Sequence, residues 1–274
     1  MEQGLLYALV GLGVYLSFRV LDFPDLTVDG SFPLGAAVTA VLIVQGVPPA
    51  IATFAGALAG SIAGTLTALL HVKLRILNLL ASILVMIALY SINLRVMGRP
   101  NLALLGEKTL FSSLTGPWDR TLVLGAIVLG IKLLLDLFFR TELGLALRAT
   151  GANPTMARAQ GINTGTMIIL GMALSNGLVG LAGGLFAQVA GFADAGLGVG
   201  TIVFGLAAVI VGETLGNRWL RPTGSAILGS LAYQTAITAA LNSRPLGLQP
   251  QDLNLITAVI VTIALVLPNL KRPS

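Results

Sequence analysis

The chain has 274 residues, of which 55% are hydrophobic and 10% charged, whereas soluble domains carry about 25% charged residues. Its mean hydropathy is +0.92. A chain this apolar has too little polar surface to cover itself in water, so lipid is its predicted solvent. The net charge of +5 does not indicate nucleic-acid binding, because the basic residues lie in short loops between apolar runs. The absence of cysteine excludes disulfides and thiolate chemistry.

Long apolar runs predict an all-α membrane protein. Backbone amides in lipid must be satisfied within a helix or a closed barrel, and continuous runs lack the alternation of barrel strands. The first run has no basic region before it and is predicted to be a retained helix rather than a signal peptide. Nine spans are predicted, or eight to ten if one is lost or split: 4–20, 33–47, 50–70, 76–97, 120–139, 165–189, 198–213, 222–241 and 252–269.

Lysine and arginine placement predicts the orientation of the bundle, because cytoplasmic loops are rich in these residues. With the N-terminus outside and the C-terminus inside, the cytoplasmic loops hold Arg19, Lys73, Arg75, Arg140, Arg148, Arg158, Arg218, Arg221, Lys271 and Arg272. The outer loops then hold Arg95, Arg99, Lys108, Arg120 and Arg244. The larger basic set therefore lies on the inner side.

Glycines at four-residue spacing predict where helices meet, since close backbone approach supplies helix packing in a bilayer. Gly56, Gly60 and Gly64 form such a stripe on the third span, and Gly180 and Gly184 form another on the sixth. We expect these glycines to be structural.

Residues 140–164 form the longest polar segment between spans. Asn153 and Pro154 are typical of a helix N-cap and first turn, and Gly161 of a helix stop. The segment is therefore predicted to contain a short amphipathic helix parallel to the membrane. A capped helix with a small side chain at Ala157 suits docking in a groove of another protein better than it suits an inert loop.

The stretch 148–163 reads Arg-Ala-Thr-Gly-Ala-Asn-Pro-Thr-Met-Ala-Arg-Ala-Gln-Gly-Ile-Asn. It resembles the coupling-helix loop of permeases in the branched-chain amino acid, ribose and nucleoside class of ATP-binding-cassette (ABC) importers. The resemblance covers most of the chain and includes Gly-Glu-Thr-Leu-Gly at 212–216 and Pro-Thr-Gly-Ser-Ala-Ile-Leu-Gly at 222–229. Residues 22–32, Asp-Phe-Pro-Asp-Leu-Thr-Val-Asp-Gly-Ser-Phe, are similar to the subgroup paired with binding lipoproteins for tryptophan, tyrosine or other small aromatic solutes. Branched-chain permeases have His-Gly-Glu here, so their substrate is not carried over.

The resemblance implies a single permease domain over residues 1–274, in a prokaryotic inner or plasma membrane. It implies a homodimer with the solute route on the two-fold axis, a cytoplasmic ATPase dimer and an extracytoplasmic solute-binding protein. No phosphate-loop motif is present, so ATP and magnesium are expected in the ATPase and no cofactor in this chain. The positions carried over as ATPase contacts are Asn153, Pro154, Ala157, Gly161, Ile162 and Asn163.

Polar side chains in or beside spans are expected to face the interior, a cavity or a partner, because lipid does not solvate them. Candidates for the solute path are Asp25, Asp29, Asn93, Asn176, Gln188, Asp194 and Gln234. For Asp25 and Asp194, a helix cap or an interfacial charge is favoured over direct solute binding. Lys132 and Asp136 lie one helical turn apart and predict a structural ion pair.

A short internal similarity raises the hypothesis of an inverted repeat. Phe23-Pro24-Asp25 follows the first span and Phe192-Ala193-Asp194 follows the sixth. In the predicted topology these spans run in opposite directions, with spans one to four and six to nine as halves. Chance similarity is equally compatible with so short a match.

The sequence leaves two other function classes open. A secondary, ion-coupled transporter usually has carboxylates deep within spans, whereas most acids here lie at span ends or in loops. An enzyme is disfavoured, because no nucleophile elbow or paired carboxylates are evident. His71 is the only histidine, so a histidine metal site is not expected.

Overall fold

The computed structural model describes residues 2–112, 114, 116, 118–216, 221–242 and 262. The helices are α1 (Glu2–Val14), α2 (Val28–Val44), α3 (Pro49–Val72), α4 (Asn78–Met97), α5 (Asp119–Phe138), α6 (Glu142–Ala152), α7 (Pro154–Ala159), α8 (Thr164–Ala190), α9 (Thr201–Gly216) and α10 (Pro222–Asn242). A π-helical segment, Tyr15–Val20, continues α1. Two short strands, β1 (Asn101–Ala103) and β2 (Phe192–Asp194), form an antiparallel ribbon.

The described residues form a membrane bundle of apolar helices, as the composition predicts. Five segments are long and apolar enough to cross a bilayer: Glu2–Val20, Pro49–Val72, Asn78–Met97, Asp119–Phe138 and Thr164–Ala190. Val28–Val44 and Thr201–Thr214 are shorter apolar helices. The all-α bundle of apolar helices predicted from the sequence is therefore confirmed, while the count of nine spans and their orientation stay predictions.

Helix boundaries follow local sequence signals. Pro49 and Pro154 occupy the first turns of α3 and α7, where a missing N–H costs nothing. Gly98 and Gly191 end α4 and α8 in the left-handed conformation that glycine adopts without strain. Each of the first eight predicted spans overlaps a helix. The ninth, 252–269, lies outside the described residues except for Thr262.

Three elements were not expected from the sequence. The polar segment after α5 contains α6 in addition to the predicted short helix. The last turn of the first span is a π-helix, and a ribbon joins the loop after α4 to the loop after α8. Each is short, and its stability depends on contacts with distant parts of the chain, so apolar periodicity does not reveal it.

Burial separates central helices from peripheral ones. Of the 18 most apolar consecutive residues in each helix, 72% are buried in the first span and 17% in α5. Leu6, Leu9, Leu12 and Leu16 lie fully inside the bundle. By contrast, α3, α4 and α5 carry large exposed apolar side chains, as expected for helices at the apolar periphery of a membrane bundle.

The two predicted glycine stripes face each other across α3 and α8. A side chain at Gly60 or Gly64 would overlap a carbonyl oxygen of α8, and one at Gly180 would lie 2.6 Å from the Gly56 oxygen. Gly184 faces the Thr39 hydroxyl of α2. Backbone therefore packs directly on backbone where α2, α3 and α8 meet.

The helices before and after the α5 to α7 region pack in reciprocal pairs. α1 contacts α9 and α10, and α8 contacts α2 and α3. α2 packs on α3 as α9 packs on α10. α1 and α8, the first helices of the two groups, also contact each other.

Candidate functional site

The helix pair in the polar loop is fixed by side-chain caps. The Thr141 hydroxyl accepts a hydrogen bond from the Gly144 N–H at the start of α6. The Asn153 side-chain oxygen accepts from the N–H groups of Thr155 and Met156 at 3.1 and 3.0 Å. Asn153 thus ends α6 and caps α7, and a rigid corner results.

The exit from α7 is equally well defined. Gly161 has φ +83°, a left-handed conformation that favours glycine. The Ile162 N–H donates to the Ala157 carbonyl at 3.0 Å, and the Asn163 side chain caps α8 by accepting from the Thr166 N–H at 3.2 Å. The short helix is therefore held between two asparagine caps and a glycine turn.

The exposed face of α7 differs from the one that the sequence indicates. Ala157 is only 3% exposed, so its side chain is not available to a partner. Met156 is 63% exposed, and Pro154, Thr155 and Arg158 are also exposed. A partner that docks on α7 would contact these side chains rather than Ala157.

The loop is attached to the end of the first span through α6. Gly151 lies so close to the Val20 carbonyl that no side chain would fit there. Leu147 is fully buried, and the Arg148 guanidinium lies 4.6 Å from the centre of the Phe139 ring. α6 thus packs directly against the π-helical end of the first span.

Next to that segment lies a fully buried polar junction. The Asp25 carboxylate accepts from the Thr27 N–H at 2.9 Å and from the Asn176 amide at 2.7 Å. The Ser31 hydroxyl donates to the Asn176 side-chain oxygen at 2.7 Å, and the hydroxyls of Thr27 and Thr67 lie 2.7 Å apart. The junction links the non-helical residues 21–27, which precede α2, to α3 and α8.

Asp29 lies in the first turn of α2 and caps α9. Its carboxylate accepts from the N–H groups of Gly200 and Ile202 at 3.2 and 2.8 Å. A carboxylate at this place satisfies two amides that have no partner within the helix. The cap joins two parts of the chain that are remote in sequence.

The remaining path candidates lie in separate places. Asn93 is fully buried and donates weakly to the Gly30 carbonyl at 3.4 Å, while its side-chain oxygen has no partner among the described residues. Gln188 donates to the Thr53 hydroxyl at 2.7 Å and accepts from the Leu110 N–H at 3.0 Å. The structure therefore does not gather the predicted set into one pocket.

Asp194 and Gln234 lie nearer the surface. The Asp194 carboxylate accepts from the Gly196 N–H at 2.7 Å and from the Asn101 amide at 3.3 Å. Asp194 therefore has local hydrogen bonds of the kind expected for a turn cap. The Gln234 amide donates to the Gln3 side-chain oxygen at 3.0 Å, which joins α10 to α1.

The predicted ion pair between Lys132 and Asp136 is present at 2.8 Å. It belongs to a larger group, because Asp136 also accepts from the Thr223 hydroxyl at 2.6 Å and lies 3.5 Å from Arg221. The sequence did not reveal these two partners at the start of α10. Among the described residues, no group of three or more acidic or histidine side chains is arranged to hold a metal ion.

Comparison with known proteins bears on the whole chain. The family model described as branched-chain amino acid transport system permease component matches residues 1–266. A tyrosine transport system permease protein of Clostridioides difficile is 43% identical over 272 residues, which cover 98% of this chain and 90% of that protein. An uncharacterized protein of Rickettsia prowazekii is 37% identical over 97% of this chain and 95% of its own length.

A nucleoside ABC transporter permease protein of Lactococcus lactis is 29% identical over 154 residues. That match covers 55% of this chain and 40% of the relative. No solved structure matches the chain significantly.

Proposed function

This chain belongs to the family of branched-chain amino acid transport system permease components, and from that premise we propose that it is the membrane-spanning subunit of an ABC importer. The observation that carries the proposal is α7, a rigid capped helix between two apolar spans, in a chain whose family match covers residues 1–266. The chain itself is a transport subunit and not an enzyme. ATP and magnesium belong to a separate ATPase subunit.

The exposed face of α7 is the proposed binding surface for the ATPase. Met156 and Arg158 would enter a groove between nucleotide-binding domains, with Pro154 and Asn153 fixing the direction of the helix. Ala157 is buried and holds the helix in place instead of contacting the partner. Gly161, Ile162 and Asn163, at the exit of the helix, stay proposed contacts of the ATPase. Movement of α7 and α6 would act on the first span through the contact between Gly151 and Val20.

The proposed solute is an aromatic amino acid delivered by an extracytoplasmic binding protein. The support is the relative named for tyrosine transport, which is 43% identical over nearly the whole chain. Two copies of the chain would enclose the solute route between them. Asp25, Asp29, Asn176 and Gln188 have protein partners and are proposed as joints between the moving helices rather than as solute ligands.

The proposed topology has nine spans in a prokaryotic inner membrane, with the N-terminus outside and α7 in the cytoplasm. An inverted repeat would relate α1 to α3 with α8 to α10. The reciprocal packing of these helices supports the repeat. The excess of arginine and lysine around α6 and α7 supports the orientation.

Uptake energetics test the proposal against a secondary transporter. Cells that contain the chain with its natural partners are given L-[3H]tyrosine after either ATP depletion or collapse of the ion gradients by ionophores. We expect ATP depletion to stop uptake and collapse of the gradients, with ATP maintained, to leave it. The reverse pattern would show that an ion gradient drives transport and would refute an ABC importer.

A further inference from the structure

Five aromatic side chains make a continuous series of ring contacts through the centre of the bundle. Tyr7 stacks on Phe204, with ring centres 4.6 Å apart and planes 13° apart, and on Phe32 at 6.3 Å and 8°. Phe186 meets Phe32 at 5.5 Å, and Tyr233 meets Phe204 edge-on at 5.3 Å. The series joins α8, α2, α1, α9 and α10 in a chain with only 6% aromatic residues.

The two halves of the series differ in burial. Phe32 and Tyr233 are 1% and 2% exposed and anchor the series in the core. Tyr7 and Phe204, the nearly parallel pair, are only half-buried. Core packing explains the anchors, whereas part of the surface of Tyr7 and Phe204 stays accessible to contact with a further aromatic ring.

Polar groups are exposed on α1 and α10, two of the helices that carry these aromatic rings. The Tyr7 hydroxyl makes no hydrogen bond to the described residues. Gln3, one turn earlier on α1, is exposed and accepts the hydrogen bond from the Gln234 amide. Thr235, which follows Gln234 in α10, is exposed and donates to the Ala232 carbonyl of its own helix. Amide and hydroxyl groups exposed at a span indicate a surface that faces a polar route rather than acyl chains.

The outer face of α3 provides the contrast. Its exposed side chains are Ile51, Phe54, Leu58, Ile62 and Leu66. These residues suit lipid, whereas the surface around Tyr7 combines stacked rings with hydrogen-bonding groups. That combination matches the chemistry of an aromatic amino acid, which has an apolar ring and polar ends.

We propose that Tyr7 and Phe204 bind the ring of an aromatic amino acid as it crosses the bundle, with the Tyr7 hydroxyl and the Gln3–Gln234 pair facing its polar groups. This inference rests on the proposed function and adds a place where the permease itself recognises the solute. Phe32 and Tyr233 hold the two binding rings in their orientation.

Photolabelling in cells that contain the chain with its natural partners tests the site. The probe is 4-azido-L-phenylalanine, irradiated during transport, and labelled peptides are mapped by mass spectrometry. We expect label within Glu2–Val14 and Thr201–Gly216, suppressed by excess L-tyrosine and not by L-leucine. Tyr7→Leu and Phe204→Leu should lower it about threefold to tenfold, the range of a lost ring stack.

Matched variants separate ring binding from folding. Tyr90→Leu removes an equivalent ring from the exposed face of α4, where Tyr90 is 54% exposed, and should leave the labelling unchanged. Tyr7→Phe keeps the stack and should keep most of the labelling. If Tyr7→Leu does not reach the membrane, Phe204→Leu alone decides.

Three outcomes would overturn the proposal. Tyrosine-sensitive label confined to other helices would place ring recognition elsewhere while leaving the proposed function intact. Label on α1 and α9 that tyrosine does not suppress would mean that lipid or a second copy covers this surface. Absence of label in cells that still take up L-[3H]tyrosine in an ATP-dependent manner would show that these rings do not meet the solute.

Discussion

At the residue scale, the polar side chains inside the bundle mainly link one helix to another through hydrogen bonds. Asn176 is the clearest example, because its amide donates to Asp25 while its oxygen accepts from Ser31. All three side chains are fully buried. In such surroundings an unpaired polar group costs much more than an average hydrogen bond contributes.

Asn176→Ala is therefore expected to lower the free energy of unfolding by about 1–3 kcal/mol, since the buried Asp25 carboxylate loses one of its donors and the buried Ser31 hydroxyl loses its acceptor. The measurement is thermal unfolding of the purified chain in detergent. Asn101→Ala is the matched control, because it removes the same kind of amide from Asp194 at an exposed site. Equal destabilisation by both variants would contradict the assignment of Asn176 as a buried joint.

Only part of this residue-scale picture could be predicted from the sequence. Because a polar side chain is costly in lipid, the sequence correctly predicts that Asp25, Asp29 and Asn176 face the inside of the bundle. Their partners were not predictable, because Asp29 meets Gly200 and Ile202, and Asp25 meets Asn176, far along the chain. The burial of Ala157 was missed for the same reason, since it depends on how α7 lies against the rest of the bundle.

At the scale of elements, two local properties made the sequence informative. Apolar runs reveal spans because their length must match the bilayer, and glycine spacing reveals the α3–α8 contact because only glycine permits it. α6 escaped prediction because Gly144 and Gly151 weaken its helical signal, and packing against Val20 stabilises it instead.

The glycine contact predicts a sharp difference between two similar substitutions. Gly60→Ala places a methyl group against the Asn176 carbonyl and should destabilise the chain by about 1–3 kcal/mol through overpacking. Gly130→Ala, on the exposed face of α5 with open space around it, should be neutral or slightly stabilising. Thermal unfolding of both variants in the same detergent provides the comparison. Similar midpoints would mean that α3 and α8 separate readily at this point.

The α7 element predicts a loss of partner binding without loss of stability. Met156→Asp puts a charge on an exposed apolar side chain, so folding should be unaffected while copurification of the ATPase falls about tenfold or more. Leu105→Asp, at a position that is 87% exposed in the loop after α4, is the control and should retain the ATPase. Normal copurification with Met156→Asp would remove α7 from the ATPase interface.

At the scale of the whole molecule, packing details argue for the inverted repeat more strongly than the short sequence match does. Gly56 of α3 lies against Gly35 and Thr39 of α2, and Gly229 of α10 lies against Ala208 and Gly212 of α9.

Gly56 then corresponds to Gly229, Gly35 to Ala208 and Thr39 to Gly212. The two members of each pair are separated by the same number of positions along the chain. Asp25 and Asp194 also form the same kind of turn, since each carboxylate accepts a hydrogen bond from the N–H two residues later. The equivalent helices therefore pack through equivalent residues, as a repeat requires.

An inverted repeat with α7 in the cytoplasm makes a prediction about sidedness, and the absence of native cysteine makes it easy to check. Thr155→Cys lies on the exposed side of α7, and Leu105→Cys lies in the loop between α4 and α5. In intact cells a membrane-impermeant maleimide should label the cysteine at 105, and it should label the one at 155 only after permeabilisation. Because an odd number of spans separates the two loops in the proposed topology, labelling of both from the same side would refute that span count. Labelling of position 155 from outside would also place α7 beyond the reach of any cytoplasmic ATPase.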